Sequence, residues 1–207
     1  MSFFYRTIAP SLFSSILWHS NAPTVHLTFD DGPHPTATAV VLEILKRRNL
    51  KATFFLLGEN VGRYPDLVRE INERGHFVGN HSLTHSSLFL KPSSWQSRQM
   101  KDANDIIQKT IGKTPGLFRP PFGHFDLRTI KAASSHGLKT VMWDVDSKDY
   151  SASGIPSIIR RVCHQTGPGS IVLLHDNDST SAKIAEYLNP ILDNLEQRDL
   201  SFAPLIL

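Results

Sequence analysis

Short apolar runs recur along this chain, near 25–29, 52–57, 76–79, 116–119, 139–143, 170–174 and 202–206. Between them lie stretches whose apolar residues repeat every three or four positions. Thr36–Asn49 carries Val40, Val41, Ile44 and Leu45, and Glu59–Arg74 carries Val61, Leu67, Val68 and Ile71. Ser94–Ile111 carries Met100, Ala103, Ile106 and Ile107, and Asp126–His136, Ile155–Gln165 and Ser181–Gln197 follow. This spacing predicts helices with one buried side. Pro65 lies inside the second pattern, so that helix can begin there instead. Ser93 or Ser94 and Asp126 are the expected N-caps, and Gly75, Gly112 and Gly137 fit helix ends. Seven strands alternating with about six helices predict a parallel α/β domain. No Gly-x-Gly-x-x-Gly follows the first strand, which favours a barrel over an open dinucleotide-binding sheet.

A barrel of that kind carries its chemistry on the loops after the strands. The candidate polar residues all fall there. Asp30 and Asp31 follow the first strand, and His81 and His85 the third. Arg119 follows the fourth, Asp146 and Asp149 the fifth, and His175 the sixth. The first group sits in Thr28-Phe-Asp-Asp-Gly-Pro33, where Gly32 and Pro33 turn the chain. Alone this favours a solvated turn over a cleft in which one Asp binds a metal and the other acts as base. His81 and His85, four residues apart, can present both imidazoles to one ion, although such pairs also occur on surfaces by accident. Position 82 is Ser rather than Glu, so a base must come from elsewhere. With Asp31 as third ligand the set is two nitrogens and one oxygen, the donor set of a catalytic site with open positions.

Arg119-Pro-Pro-Phe-Gly123 reads as a rigid turn, either an ordinary proline-rich loop or a holder of the Phe122 N–H. Pro121 has no N–H to offer, and Arg119 can pair with a carboxylate. His175 ends an apolar strand and is either a rim residue or a general acid, with Asp149 the candidate carboxylate beside it. His34 is placed at the cleft, His124 on the rim and His26 in the barrel interior or core. His19, His76, His136 and His164 are assigned structural or exposed positions.

The length of 207 residues fits one domain, and 40% hydrophobic against 20% charged residues implies a packed core. A net charge of +3 with scattered basic residues leaves no nucleic-acid footprint. The pI near 9.1 favours at most weak attraction to anionic surfaces. Cys163, the only cysteine, excludes an intrachain disulfide and reads as a buried thiol. No apolar run is long enough to span a membrane. The first twenty residues make a poor secretion signal, with Pro10 in their middle. A short helix from Pro10 to Trp18, packing Phe13, Ile16 and Leu17 on the domain, is expected there. On that reading residues 1–23 are an extension of a 24–207 domain, the location is cytoplasmic, and a monomer is the default.

Five segments in order resemble the polysaccharide deacetylases with a NodB-homology domain, carbohydrate esterase family four. They are Thr28-Phe-Asp-Asp-Gly-Pro33, His81-Ser-Leu-Thr-His85, Arg119-Pro-Pro-Phe122, Asp146-Ser-Lys-Asp-Tyr150 and Leu173-Leu-His175. The resemblance spans residues 24–206. It implies an incomplete or distorted (β/α)7-8 barrel holding a divalent metal, zinc or else cobalt, on Asp31, His81 and His85. It implies Asp30 as base, oriented by Arg119, and His175 as acid, tuned by Asp149. Phe122, Tyr150, His34, Pro121 and Leu173 are the implied substrate-binding positions. The implied reaction removes acetyl groups from N-acetylglucosamine units of chitin, peptidoglycan or a related glycan. An O-acetyl esterase acting on xylan and a silent carbohydrate-binding domain are the alternatives. Tyr150 stands where the family usually has Trp, and Phe122 where Tyr is frequent, which bears on substrate preference. The family's substrates usually lie outside the cytoplasm, in conflict with the missing export signal.

Overall fold

The computed structural model describes residues 15–152 and 154–206. Seven strands form one wholly parallel sheet. They are β1 His26–Asp30, β2 Thr53–Leu56, β3 Phe77–Asn80, β4 Leu117–Phe118, β5 Lys139–Thr140, β6 Val145–Asp146 and β7 Ile171–His175. Their order across the sheet is β5-β4-β3-β2-β1-β7-β6. Among the described residues the two edge strands, β5 and β6, do not pair, so the barrel is incomplete there. Leu17 lies along the open seam, its N–H donating to Thr140 O (2.9 Å) and its carbonyl accepting from Met142 N (2.8 Å).

Alternation along the strands sorts the side chains into two cores. Leu27, Phe29, Phe54, Leu56, Val172 and Leu174 point outward into the helix-facing core. Phe55, Ile171 and Leu173 point inward with Met142 and Trp143. Each fully buried Leu, Phe or Val in these clusters contributes roughly 1.5–3 kcal/mol. On β1 the inward positions are polar: His26, Thr28 and Asp30, all buried. An interior face that ends in Asp30 delivers a carboxylate to the rim at the strand's C-terminal end.

Helices Ala37–Arg47, Ser93–Ile111, Leu127–Ser135 and Ile155–Gln165 lie within a few residues of their expected limits. The expected 59–74 helix is broken at Tyr64 (φ −129°, ψ 55°) into Gly58–Arg63 and Pro65–Glu73, since Pro65 cannot continue it. The last pattern resolves into Asp178–Ser181 and Ile184–Gln197. Gly112 caps its helix in the left-handed region (φ 71°). Asp126 forms a capping box with Thr129, accepting the Arg128 and Thr129 N–H groups at 2.8 and 3.0 Å. Asp126→Ala is expected to cost about 1 kcal/mol, read as a lower denaturation midpoint at unchanged slope. Neither Ser93 nor Ser94 is a cap. Pro92 holds that position, and Ser93 is already helical.

Other expectations are corrected. The apolar run at 202–206 makes a single bridge, Phe202 to Val25, rather than a strand. It passes under the N-terminal ends of β1 and β2, with His26 Nδ1 2.9 Å from Ala203 O and Leu205 N donating to Thr53 Oγ1 (2.9 Å). Its apolar character serves to plug the barrel. The strand expected over 139–143 ends at Thr140, and the unanticipated β6 follows it. Asp146 therefore closes a sixth strand and His175 the seventh. Of the expected Pro10–Trp18 helix, 10–14 lie outside the described residues. Residues 15–18 are turn and bend, and Leu17 pairs with Val141. Cys163 is half-buried against the outer core, and burial pushes its thiol up. Among the described residues no helix is long and apolar enough to cross a membrane.

Candidate active site

Segments that follow six of the strands converge at the C-terminal rim on one cavity of about 380 Å³. Several of them use backbone that L residues rarely adopt: Asp31 (φ 77°), Ser82 (φ 70°), Phe122 (φ 59°) and Lys148 (φ 55°). Such conformations persist where the surroundings enforce them. The Asp31 turn is held by Asn60, whose amide donates to Asp31 O (2.8 Å). Gly32 is required beside it, because a Cβ there would collide with the buried Asp176 carboxylate. The Ser82 turn is held by Asn80 Oδ1, which accepts Ser82 N–H at 2.7 Å.

Asp31, His81 and His85 meet with ligand atoms all within 4.8 Å of one another. Asp31 Oδ1 lies 3.3 Å from His81 Nε2 and 3.1 Å from His85 Nε2. His81 Nδ1 donates to Arg119 O (2.7 Å), which leaves the Nε2 lone pair for a ligand. Among the described residues Asp31 Oδ1 is buried without a hydrogen-bond partner. Three lone-pair atoms facing one another need protons or a cation between them. Burial opposes the Asp31 charge, but the two imidazoles outweigh it and hold the carboxyl far below its usual range. Two nitrogens and one oxygen in this arrangement fit a divalent ion of the zinc type. Asp31 Oδ2 accepts from Asn177 Nδ2 at 2.8 Å, so one oxygen is anchored and the other is aimed at the imidazoles.

Asp30 is buried beside this cluster, its Oδ2 3.9 Å from His81 Nε2. Arg119 is wholly buried and donates to Asp30 Oδ1 and to Thr28 Oγ1, both at 2.7 Å. Its other nitrogens reach Met142 O (2.9 Å) and Val141 O (3.4 Å), and its plane covers Phe55 at 4.2 Å. Burial lowers the Arg119 pKa, and the Asp30 charge pushes back. Asp30 is thus fixed to one edge of a guanidinium that cannot move.

His175 is the register partner of Asp30 across β1 and β7. Its Nδ1 lies 2.7 Å from Asp149 Oδ1, and Asp149 Oδ2 accepts from His175 N (2.9 Å) and from Tyr187 OH (3.0 Å). Burial alone disfavours the imidazolium, but the hydrogen bond and charge of Asp149 outweigh it, with help from Asp31 and Asp30. The His175 pKa stands at about 9 rather than 6.5. Nδ1 is committed to Asp149, so Nε2 carries the proton that faces the cavity. A proton held more tightly in the fold than in the open chain stabilises the fold fully below pH 6.5, an effect lost as pH rises to about 9. In Asp149→Asn the His175 titration of metal-free protein, followed by imidazole proton resonances, is expected to fall back to the ordinary range or below.

Phe122 and Tyr150 stand exposed on opposite walls, with ring centroids 4.3 Å from His85 and 5.1 Å from His175. Burial and then Asp146 push the Tyr150 phenol up to about 12, so it stays neutral. Leu173 lies in the floor. Two expected lining residues do not join them. Pro121 is buried and supports the Phe122 turn. His34 turns away, its Nδ1 accepting from Ala37 N (3.1 Å) and its Nε2 paired with Asp178 (2.8 Å). His124 is on the rim, 3.2 Å from Ser87. Trp143, Gly123 and Asn177 line the cavity without having been anticipated. Trp143 is the last residue of the 139–143 run, so its rim position was visible. Asp176, next to His175, was also missed. It is fully buried, takes the Thr38 hydroxyl, and is pushed well above the carboxylate range by burial and then by the Asp31 and Asp30 charges.

Residues 19–141 match the family model described as polysaccharide deacetylase. A peptidoglycan-N-acetylglucosamine deacetylase of Bacillus cereus is 35% identical over 88% of this chain and 86% of its own length. A chitooligosaccharide deacetylase of Rhizobium leguminosarum is 36% identical over 76% of this chain and 73% of its own. Among solved structures, a peptidoglycan N-acetylglucosamine deacetylase superposes with a TM-score of 0.90 at 30% identity, covering 96% of this chain and 95% of the other. A protein of Bacillus anthracis described as a family-four carbohydrate esterase pseudoenzyme superposes at 0.83 and 29% identity, covering 92% and 67%.

Proposed function

The chain belongs to the polysaccharide deacetylase family, and from that premise we propose that it is a metal-dependent hydrolase of N-acetylglucosamine-containing glycans, releasing acetate and leaving a free amine. One observation carries the reading. Asp30 and His175, in register on adjacent strands, flank the Asp31, His81 and His85 cluster within one cavity. A glycan-binding module needs neither a guanidinium-anchored carboxylate nor an imidazolium held by a buried Asp. A two-carboxylate glycosidase needs no His pair.

A divalent ion would be held by Asp31, His81 and His85 and would supply Lewis acidity for hydrolysis of the acetamide. The chain's own residues do the rest. Asp30 takes a proton from the water as its oxygen bonds to the carbonyl carbon. Arg119 keeps that carboxylate pointing into the cavity. The Phe122 N–H donates to the oxygen that gains charge, a contribution of roughly 3–4 kcal/mol. Its neighbours cannot serve, because the Gly123 and His124 N–H groups are bonded to Pro120 and Pro121 carbonyls. His175 Nε2 gives its proton to the nitrogen as the C–N bond breaks, and Asp149 stabilises the imidazolium until then. Trp143 and Leu173 form an apolar floor for the acetyl methyl. The amide's need for a protonated leaving nitrogen supports N- over O-deacetylation, since an ester alkoxide leaves with less help. Acetate release from N-acetylglucosamine oligomers and from acetylated xylan, side by side, tests this. Faster turnover of the oligomers is expected, and release from xylan alone would overturn it.

A further inference from the structure

Asp176 is fully buried one residue past the His175 that ends β7, and it stands outside the Asp31, His81 and His85 cluster. Its N–H extends the β1–β7 ladder by donating to Asp30 O (3.1 Å). Its carboxyl packs against Gly32, the residue after Asp31. We infer that Asp176 is a positioning residue whose carboxyl supports the Asp31-Gly32 turn and so keeps Asp31 Oδ1 aimed at the two imidazoles, an assignment that rests on the metal cluster of the proposed function.

The three heavy atoms nearest to a Cβ built on Gly32 all belong to Asp176. Such a Cβ would fall 2.7 Å from Oδ1 and closer still to Oδ2. Gly32 is not among the glycines with positive φ, so its backbone accepts alanine and the Asp176 carboxyl is what excludes it. The carboxyl is itself tied from behind. Oδ2 takes the Thr38 hydroxyl, and Thr38 Oγ1 accepts the His34 N–H (2.8 Å). Thr38 lies in the first turn of Ala37–Arg47, so the support stands on a helix. Elsewhere the turn is held by Asn60 at the Asp31 carbonyl (2.8 Å) and by the Leu57 N–H at the Gly32 carbonyl (3.0 Å). Asn177, next to Asp176, anchors Asp31 Oδ2 (2.8 Å). Asp31 keeps its left-handed φ of 77° because these contacts enforce it. Among the described residues Asp176 Oδ1 is buried without a hydrogen-bond partner. A carboxyl with one hydrogen bond fills space less well than an apolar side chain, since its burial costs more than one bond returns. Its contribution therefore lies in what it holds in place.

The test measures zinc affinity by competition with a chromogenic chelator, alongside the melting midpoint of the metal-free protein. Asp176→Ala is expected to bind zinc about 10–100-fold more weakly, as loss of an outer-shell partner does. Its metal-free midpoint is expected to stay within about 4 °C of wild type. Asp176→Asn keeps the shape and an oxygen for the Thr38 hydroxyl, so its zinc affinity is expected within about threefold of wild type, short of that range. Equal losses in both variants, or none in either, overturn the assignment. A metal-free Asp176→Ala that no longer melts cooperatively makes Asp176 a packing residue and also overturns it. Gly32→Ala probes the same contact from its other side and is expected to weaken zinc binding by a similar factor. In Gly32→Ala/Asp176→Ala the absent carboxyl leaves room for the methyl, so the pair is expected to lose no more than Asp176→Ala alone. Losses that simply add refute the contact. A wild type that binds zinc but frees no acetate would remove the deacetylase reading and leave this assignment standing. Zinc binding unchanged by all of these variants would do the reverse.

Discussion

Asp30→Asn is expected to lower kcat about a thousandfold while leaving the content of bound metal unchanged. A positioned general base contributes roughly 10²–10⁴-fold, and the amide has the shape of the carboxylate without its basicity. Arg119 donates to Asp30 Oδ1, a contact that an amide oxygen can still accept, so the rim geometry survives. The three candidate ligands are untouched, because Asp30 Oδ2 stands 3.9 Å from His81 Nε2 and outside that set. Steady-state acetate release together with metal analysis of the purified variant checks both halves. Near wild-type turnover would remove Asp30 as base, and lost metal would make it a ligand instead.

His81→Ala is expected to show the complementary split, metal affinity falling by more than about 100-fold while the fold persists. Loss of an outer-shell partner alone typically costs 10–100-fold, and His81 is assigned to the ion itself. Its Nδ1 is held by Arg119 O, which turns Nε2 toward Asp31 and His85, and alanine removes that nitrogen. Competition against a chromogenic chelator measures the affinity. Thermal melting with and without zinc gives a second reading, since an ion that binds only the folded form raises the wild-type midpoint in proportion to its affinity. Unchanged affinity would sink the ligand assignment. A collapsed melting curve in the metal-free variant would point to packing instead, because His81 is buried.

Much of this site was legible because its signals are local. An Asp-Asp pair before Gly-Pro, two His four apart and an apolar strand ending in His each mark a rim position once the alternating pattern is read as a barrel. Their convergence follows from topology, since β3, β1 and β7 bring those strand ends to one side of the sheet. What stayed hidden depends on contacts between distant segments. Asn177 reaches Asp31 across 146 positions, and a single amide has no periodicity to betray it. Asp149 could be named beside His175, but its second hold on Tyr187 could not. His34 was placed at the cleft by its nearness to Asp31, yet the N–H groups opening the Ala37–Arg47 helix and the Asp178 carboxylate draw it into the neighbouring cavity. β6 has only two residues, too short for any alternation to register. The 202–206 run failed in the opposite sense, since apolar residues that plug a barrel look like a strand.

The reading as a whole stands on a metal-dependent deacetylation at the Asp31, His81 and His85 cluster. Acetate release from N-acetylglucosamine oligomers, measured after exhaustive chelation and again after adding back zinc or cobalt, tests it most directly. The account predicts that chelation abolishes release and that either ion restores it. Release that continues undiminished in the chelated protein would contradict it, as would a zinc-loaded protein that frees no acetate from any oligomer.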